Sequence, residues 1–497
     1  MKLFTLIEEC EASHISGNSS VDIKGISEDS RRVKKNFLFV AINGEKSNGH
    51  DFLDDAVEKG AAALMTQEPH RYDGKAVSVS VANSKKALGL VSARFYGEPS
   101  KKLKLVGITG TNGKTTITYL LESILGAARL SPGVIGTVNA RYEGQVLNAS
   151  HTTPAPTDLQ RILSEMVHAG TTHCIMEVSS HALDQERVSG CNFDTVIFTN
   201  LTRDHLDYHG TMEDYGKAKE RLFLDLPFEH KKAVINIDDP FGKLLAGKAG
   251  HVITYGLKEG DICPAEIKKS KDGFLAKLNT PAGMMTINST LVGQYNLYNI
   301  MASIGAAISL GIGKEMIEDG IEALKKVPGR LERISLPKGF EGCRVFVDYA
   351  HTPDALARVI EALRSTTTGR LITLFGCGGD RDKEKRAIMG KASSRGSDFT
   401  IVTSDNPRSE DPQLIVNEIE NGVVEGGGER GRNYSVIIDR HEAILEAAKM
   451  MKSKDTLLIA GKGHEDYQIL GNSRIYFDDR VEAAKAFSSV ESDTKAA

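Results

Sequence analysis

The sequence predicts an α/β protein of three domains whose sheets are mostly parallel. Length is the first reason: 497 residues exceed the ~250–300 over which a single hydrophobic core keeps growing. Alternation is the second, because short apolar runs trade places with helical stretches along most of the chain, the pattern of layered α/β folds. The third is a strand that runs into a glycine-rich turn and then a helix at Gly107–Thr116, the local context of a phosphate-binding loop.

In chain order, Phe37–Ala41 reads as a strand, Asp54–Gly60 as a helix and Ala61–Met65 as the next strand, with a Gly/Asn/Lys-rich loop at Asn43–Gly49. Gly97–Lys104, with Pro99 and three lysines, reads as a linker. Leu105–Ile108 is then a strand and a helix opens near Thr115. Buried strands follow at Cys174–Val178, Thr195–Thr199 and Ala233–Ile237, and Ala302–Leu310 is a small-residue helix. Val327–Gly329 breaks the next helix. The last unit holds strands at Arg344–Val347, Leu371–Phe375, Phe399–Val402, Ser435–Ile438 and Thr456–Ala460, with a polar loop at Glu425–Arg432. The small, polar tail from Ser488 is expected to fray. These breaks place domains at 1–100, 101–329 and 330–497.

Hydrophobic residues at 40% and charged residues at 26% describe an ordinary globular chain. A net charge of −4 gives no electrostatic reason to bind nucleic acid or an anionic membrane. No stretch approaches the ~20 apolar residues of a membrane span. Met1–Ser13 carries Glu8, Glu9 and Glu11 without an apolar run, which speaks against a signal peptide. The six cysteines are scattered without a Cys-x-x-Cys pair, so reduced thiols and a cytoplasmic location are expected. A monomer is expected as well.

In the loop at 107–116, Gly110 and Gly113 let backbone N–H groups turn inward on phosphate oxygens, and the helix N-terminus adds partial positive charge. Lys114 can reach outer phosphates and the Thr115 hydroxyl can ligate Mg²⁺. The usual spacing puts a glycine where this chain has Ile108, so the loop is a variant. By itself it leaves GTPases, ATPases, kinases and ligases open.

Glu177 ends a strand, where a carboxylate faces the ligand crevice of a parallel sheet. One carboxylate per Mg²⁺ is normal, since the ion keeps several waters; a buried, capped glutamate is the plainer alternative. Asp204, His205, Asp207 and His209 cluster just past the following strand. A lone histidine there is more often structural, but the cluster beside a phosphate loop favours a metal site. Lys219, in Tyr215–Phe223, reads from composition as a surface lysine.

Five segments then join: Thr-Gly-Thr-Asn-Gly-Lys-Thr-Thr at 109–116, Glu-Val-Ser-Ser-His-Ala-Leu at 177–183, Asn-Leu-Thr-Arg-Asp-His-Leu-Asp-Tyr-His-Gly at 200–210, Asp-Tyr-Ala-His-Thr-Pro-Asp at 348–354 and Gly-Lys-Gly-His-Glu at 461–465. In this order they resemble the Mur ligase family, the ATP-dependent amino-acid ligases of peptidoglycan synthesis, over nearly the whole chain. The resemblance implies an N-terminal domain for a uridine nucleotide, a central P-loop ATPase and a C-terminal Rossmann-like domain for the incoming amino acid.

It implies roles by position. Gly110, Thr111, Asn112, Gly113, Lys114, Thr115 and Thr116 would bind ATP, with Asn296, Asn299, Arg330, Asp348 and His351. Ser30 would contact the UDP end of the substrate, and Thr152, Thr153, Ser179, Gln185 and Arg187 its muramoyl-peptide part. Thr115, Glu177, His205 and Lys219 would hold Mg²⁺, Lys219 as a carbamate, and Lys114, Lys219 and His205 would be catalytic. Bare Lys219 would repel a cation, whereas a CO₂ adduct offers it an anionic oxygen.

Asp405-Asn406-Pro407-Arg408 follows a strand. Read alone it is a turn with a solvated arginine. Within the family this motif marks members that add meso-diaminopimelate, which differs from lysine by one distal carboxylate, and a guanidinium grips a carboxylate through paired hydrogen bonds. Arg381, Gly461 and Glu465 match the remaining amino-acid contacts. The expected substrates are therefore ATP, meso-diaminopimelate and UDP-N-acetylmuramoyl-L-alanyl-D-glutamate.

Overall fold

The strands of parallel sheets are covered on both faces, so they read as continuous apolar runs, and Thr195–Phe198, Leu371–Phe375 and Thr456–Ala460 are buried at every residue. The computed structural model describes residues 1–44, 47–69, 75–149, 151–226, 231–270 and 273–496. It has a three-domain α/β architecture with mixed, mostly parallel sheets.

The N-terminal sheet runs in the order His14–Ser16, Val77–Ser80, Ala63–Thr66, Phe37–Val40, Gly25–Ser27, parallel except for its first strand. The central sheet has eight strands, with Lys104–Thr109 between Thr195–Phe198 and His173–Glu177. Its far edge, Asn139–Tyr142 and Gln145–Asn148, turns antiparallel. The C-terminal sheet has six strands, with Arg344–Asp348 and Leu371–Phe375 flanking Thr456–Ala460, and Glu332–Ile334 antiparallel at one edge.

The helix Lys114–Ala127 buries Ile117, Leu120, Leu121 and Ile124 in one cluster with Ile300, Met301 and Ile304 of the helix Gln294–Ser309. This packing carries the start of the second helix to the phosphate loop.

The structure departs from the sequence reading in several places. Gly97–Lys104 is no free linker: Pro99–Lys101 forms a 3-10 turn, Pro99 and Ser100 are buried, and Asn192 N donates to Ser100 Oγ at 3.1 Å. The small-residue helix begins at Gln294, well before Ala302. A three-stranded antiparallel sheet, Cys263–Ser270, Gly273–Asn279 and Met285–Ser289, was not anticipated. The tail expected to fray from Ser488 continues the helix Asp479–Ala496, whose buried anchors Ala483, Ala486 and Phe487 pack with Ala443 and Ala447. In the loop at 43–49, Asn43 and Asn48 form an isolated bridge, and residues 45 and 46 lie outside the described residues. Among the described residues no helix is long and apolar enough to cross a membrane.

Candidate functional site

The strand Lys104–Thr109 ends against the glycine turn, and both turn glycines have positive φ (Gly110 +140°, Gly113 +95°). A Cβ on Gly110 would lie 1.9 Å from Thr199 Oγ1, and one on Gly113 would lie 2.4 Å from Asn299 Oδ1. Neither position admits a side chain. The loop is further pinned by Thr199 Oγ1 donating to Asn112 O (2.6 Å) and by Asn112 N donating to Asn200 Oδ1 (3.0 Å). Lys114 Nζ donates to Gly110 O (2.7 Å) and Thr111 O (2.9 Å), and burial lowers its pKa against the pull of Glu177 and Asp204.

Thr115 Oγ1 donates to Glu177 Oε2 at 3.2 Å, and Arg330 Nη2 donates to Thr115 Oγ1 at 3.0 Å. Glu177 is buried and capped by Thr137, whose backbone N and Oγ1 both donate to it at 2.9 Å. Thr137 Oγ1 also pairs with Thr152 Oγ1 (3.1 Å). Thr153 Oγ1 donates to Glu177 O and accepts from Ser179 N, while Ser179 Oγ caps the following helix by accepting from Ala182 N. Arg187 Nη1 donates to Thr153 O (3.0 Å) and Arg187 Nη2 to Gln185 Oε1 (2.7 Å). Thr152, Thr153, Ser179, Gln185 and Arg187 thus form one hydrogen-bonded chain leading away from Glu177.

Lys219 is the correction here. It is no surface residue but almost wholly buried, its Nζ 4.2 Å from the centre of the Tyr215 ring. Burial, reinforced by Lys114, pushes its pKa well below the usual lysine value, which favours the neutral amine. His205, at φ +54°, packs 6.1 Å from the same ring, and burial lowers its pKa although Asp204 opposes this. Tyr215 OH in turn pairs with Thr111 Oγ1 (3.2 Å), so Lys219 and His205 are gathered beside the phosphate loop. Asp207 is exposed on a short helical turn, and His209 pairs with Ser180 Oγ (2.9 Å).

Among the described residues, no three His, Cys, Asp or Glu side chains come together as a ready metal site. The residues present still suit Mg²⁺, which binds through one or two carboxylates while retaining waters. Thr115 and Glu177 put a hydroxyl and a buried carboxylate within hydrogen-bond distance at a helix N-terminus.

Beside the loop lies a cleft of ≈ 340 Å³ lined by Asn112, Gly113, Thr116, Asn299, Arg330 and Asp348. Asn299 Nδ2 donates to Asn296 Oδ1 (3.0 Å). Asp348 accepts from Leu331 N (2.6 Å) and Ala350 N (2.7 Å), and burial raises its pKa against the opposing Arg330. His351 is held through Nδ1 by Tyr349 O (2.8 Å). The sequence reading missed Thr137, Thr199, Tyr295 and Tyr298; the tyrosines line the cleft on the same helix as the two asparagines. Loops of the central unit also meet helices of the C-terminal one through Asn112 Nδ2, which donates to Asp354 Oδ2 (3.4 Å), and an Arg203–Glu384 ion pair.

At the C-terminal ends of the last sheet's strands a second cluster forms. Asn406 Nδ2 donates to Glu465 Oε2 (2.9 Å), and Ile469 N donates to Asn406 Oδ1 (2.9 Å). Gly461, at φ +114°, is where a Cβ would lie 2.5 Å from Asp405 Oδ2. Burial and Asp405 raise the pKa of Glu465, which Lys462 opposes. Arg408 is not the solvated arginine of a free turn: it is half-buried, at φ +53°, and its Nη1 donates to Gly379 O at 2.8 Å. Arg381 is exposed, with Nη1 donating to Asp380 O (2.8 Å). Pro407 O packs where a Cβ on Gly379 would fall, at 1.9 Å.

Ser30 stands apart from both clusters. It is buried at the start of a 3-10 turn of the N-terminal domain, and its carbonyl accepts from Lys59 Nζ (3.2 Å). That segment faces the central sheet's helix Pro156–His168, with Thr157 Oγ1 donating to Glu28 Oε2 (3.2 Å).

The comparisons with known proteins agree with one another. Residues 22–96 match the model described as Mur ligase family, catalytic domain. Residues 108–307 match the Mur ligase middle domain, and 329–463 the Mur ligase, glutamate ligase domain. The chain is 43% identical to the UDP-N-acetylmuramoyl-L-alanyl-D-glutamate--2,6-diaminopimelate ligase of Geobacter metallireducens, with 99% of each chain covered. It is 45% identical to the protein of that name from Gloeobacter violaceus, over 94% of each. A solved structure of a protein bearing the same name superposes with a TM-score of 0.71 at 32% identity, covering 99% of both chains.

Proposed function

The chain belongs to the Mur ligase family, and from that premise we propose that it is the ATP-dependent ligase that joins meso-2,6-diaminopimelate to UDP-N-acetylmuramoyl-L-alanyl-D-glutamate, releasing ADP and phosphate. The relatives that carry this activity in their names match almost end to end. The reading assigns residues 1–100 to the uridine nucleotide, 101–329 to ATP and 330–497 to the amino acid. We place the enzyme in the cytoplasm, as a monomer, acting on small molecules and not on nucleic acid.

The observation that carries the reading is the pairing of two clusters by one sheet. The C-terminal sheet sends Arg330 to Thr115 of the phosphate loop and holds Asp405, Asn406, Arg408 and Glu465 at the ends of its strands. An acid activated at the first cluster can then be captured by an amine delivered from the second.

In the proposed reaction the terminal carboxylate of the dipeptide attacks the γ-phosphorus of ATP, the bond to the β–γ bridging oxygen breaks, and ADP leaves an acyl phosphate. The neutral amine of diaminopimelate attacks the acyl carbon, the tetrahedral intermediate expels phosphate, and the amine proton is lost to give the amide. Backbone N–H groups of Gly110–Thr116 cradle the phosphates, and Lys114 supplies positive charge to the outer ones. Arg330 adds a guanidinium where charge develops. Asn299 and Asp348 line the cleft, and in this reading they face the nucleotide together with Asn296 and His351. Thr152, Thr153, Ser179, Gln185 and Arg187 orient the muramoyl-peptide, and Ser30 the uridine end.

Thr115, Glu177, His205 and Lys219, the last as a carbamate, would hold Mg²⁺, which when bound neutralises phosphate charge. Carbamylation needs an unprotonated amine to attack CO₂ with loss of a proton, and burial of Lys219 favours that form. At the other end, Arg408 and Arg381 meet the distal carboxylate and Glu465 the distal ammonium.

The decisive experiment incubates the protein with ATP, diaminopimelate and the dipeptide nucleotide, and weighs the product. A nucleotide longer by one diaminopimelate residue is expected, with ADP release dependent on the dipeptide nucleotide. ADP release indifferent to that acid, with no lengthened product, would indicate an NTPase of another kind.

A further inference from the structure

We infer that Glu410 is a positioning residue that clasps the two arginine-bearing loops of the amino-acid site together, and so sets how firmly the distal carboxylate of the substrate is gripped. The inference rests on the function proposed above, since it takes Arg381 and Arg408 as the groups that meet that carboxylate. Neither Glu410 nor its partner Arg386 belongs to the motifs that suggested the site.

The loops run over Gly378–Lys383 and Asp405–Glu410 and leave adjacent parallel strands, Leu371–Phe375 and Phe399–Val402. Several contacts zip them. Gly379 N donates to Asn406 O (2.9 Å), Arg408 Nη1 to Gly379 O (2.8 Å), and Ser409 Oγ to Asp380 Oδ1 (2.7 Å). Ser409 N also donates to Asp380 Oδ2 (3.2 Å), and Glu410 Oε1 accepts from Asp380 N at 2.6 Å while its Oε2 lies 3.4 Å from Lys383 Nζ. The Glu410 carboxylate also spans the Arg386 guanidinium, with Nη1 at 3.0 Å from Oε2 and Nη2 at 2.9 Å from Oε1.

Arg386 is an anchor with little freedom. Its side chain is fully buried, and its Nη2 also donates to Gly378 O (3.3 Å) at the root of the first loop. One carboxylate thus ties the second loop to the backbone of the first and to a fixed cation beneath both. A bidentate carboxylate–guanidinium pair fixes orientation as well as distance.

Backbone strain explains why such a clasp is needed. Asp380 and Arg408, each next to or at a substrate-facing arginine, have φ of +52° and +53°. Left-handed backbone at residues other than glycine persists only where the surroundings over-determine it. Loosening Glu410 lets both residues relax, and the guanidiniums of Arg381 and Arg408 drift apart.

A second glutamate on Arg386 separates this role from simple burial of a charge. Glu418 accepts from Arg386 Nη1 at 2.9 Å but lies on the helix Pro412–Glu425, outside both loops. It shares the guanidinium and lacks the clasp.

The test compares wild type, Glu410→Gln and Glu418→Gln in steady-state assays that vary each substrate in turn. For Glu410→Gln the KM for diaminopimelate is expected to rise about tenfold or more, the loss typical of a charge-assisted hydrogen bond. Its kcat and its KM values for ATP and the dipeptide nucleotide should stay close to wild type, and its preference for diaminopimelate over L-lysine should fall in proportion. Glu418→Gln should keep the wild-type KM for diaminopimelate. An unchanged diaminopimelate KM in Glu410→Gln, an equal rise in Glu418→Gln, or a joint rise of all three KM values would overturn the inference. If Glu410→Gln does not fold, Ser409→Ala, which removes the hydroxyl bond to Asp380 Oδ1 and keeps the backbone one to Oδ2, is read by the same criteria. Failure of the wild type to use diaminopimelate at all would instead overturn the proposed function.

Discussion

Arg330 Nη2 donates to Thr115 Oγ1 at 3.0 Å, while its Nε is buried without a hydrogen-bond partner among the described residues. A guanidinium from the edge of the C-terminal sheet therefore reaches the hydroxyl of the phosphate loop with a buried donor still to place. A buried unpaired donor is costly, and an incoming phosphate oxygen is the partner that the proposed reaction supplies. Arg330→Ala should lower kcat for ADP release by roughly 100-fold or more, the loss seen when a donor to developing charge is removed. Arg330→Lys should not restore it, because a lysine has no planar fork to satisfy Thr115 and a phosphate together. Full activity in either variant would remove Arg330 from the phosphate-facing set.

Lys219 lies in the apolar stripe of its helix, in line with Tyr215, Ala218, Leu222 and Phe223, all buried. Burial favours its neutral amine, the form that adds CO₂. Activity should fall in CO₂-depleted buffer and return on adding bicarbonate, and a ¹³C carbamate signal should be present in wild type and absent from Lys219→Ala. Lys219→Ala should be nearly inactive whatever the bicarbonate concentration. Normal turnover by that variant at low CO₂ would sink the carbamate.

That stripe shows what was legible and what was not. The helical period places residues 215, 218, 219, 222 and 223 on one face, so a lysine inside the stripe was a signal available without a structure, although composition alone hid it. The three-stranded antiparallel sheet was legible too, since residues 274–279 and Met285–Ser289 of its strands alternate buried and exposed, the period of a half-buried strand. The parallel strands named from the sequence agree within a residue or two because their apolar runs are bounded, whereas Gly25–Ser27, Val77–Ser80, Pro132–Ile135 and Val252–Tyr255, of three or four residues each, were not named. The contacts of Thr137 with Glu177 and of Glu410 with Asp380 span 40 and 30 residues, and no local pattern encodes such meetings.

Arg408 is fixed by Gly379 O and by its own backbone, which donates to Ile469 O (3.1 Å) and accepts from Gly471 N (2.8 Å) of the hairpin region beyond Tyr467. Its guanidinium is thus aimed by two neighbouring segments. Wild type should prefer diaminopimelate to L-lysine by several orders of magnitude, on the order of 10⁴, because groups built for a carboxylate go unpaired with lysine. Arg408→Ala should erase most of that ratio by weakening use of diaminopimelate while leaving lysine turnover nearly unchanged. Competition assays with the two amino acids read the ratio directly, and equal use by wild type would refute the assignment.

Glu410 also gives a stability prediction with a definite sign. The hydrogen bonds from Arg386, aided by Asp380 N, pull its pKa down from 4.5 to about 2 against the effect of burial. A carboxyl whose folded pKa is depressed stabilises the fold fully above its unfolded value and loses that contribution as pH falls towards the folded one. The contribution is therefore complete at neutral pH and is lost between 4.5 and about 2. Thermal melts of wild type and Glu410→Gln should show the variant lower in Tm at neutral pH, with the gap narrowing steadily as the buffer is taken towards pH ~3. Glu418→Gln, whose carboxylate is more exposed (42% against 17%), should show a smaller gap at every pH, since exposed ion pairs contribute little. A gap for Glu410→Gln that stays constant or widens on acidification would mean that the Arg386 pair does not hold its proton off in the folded protein.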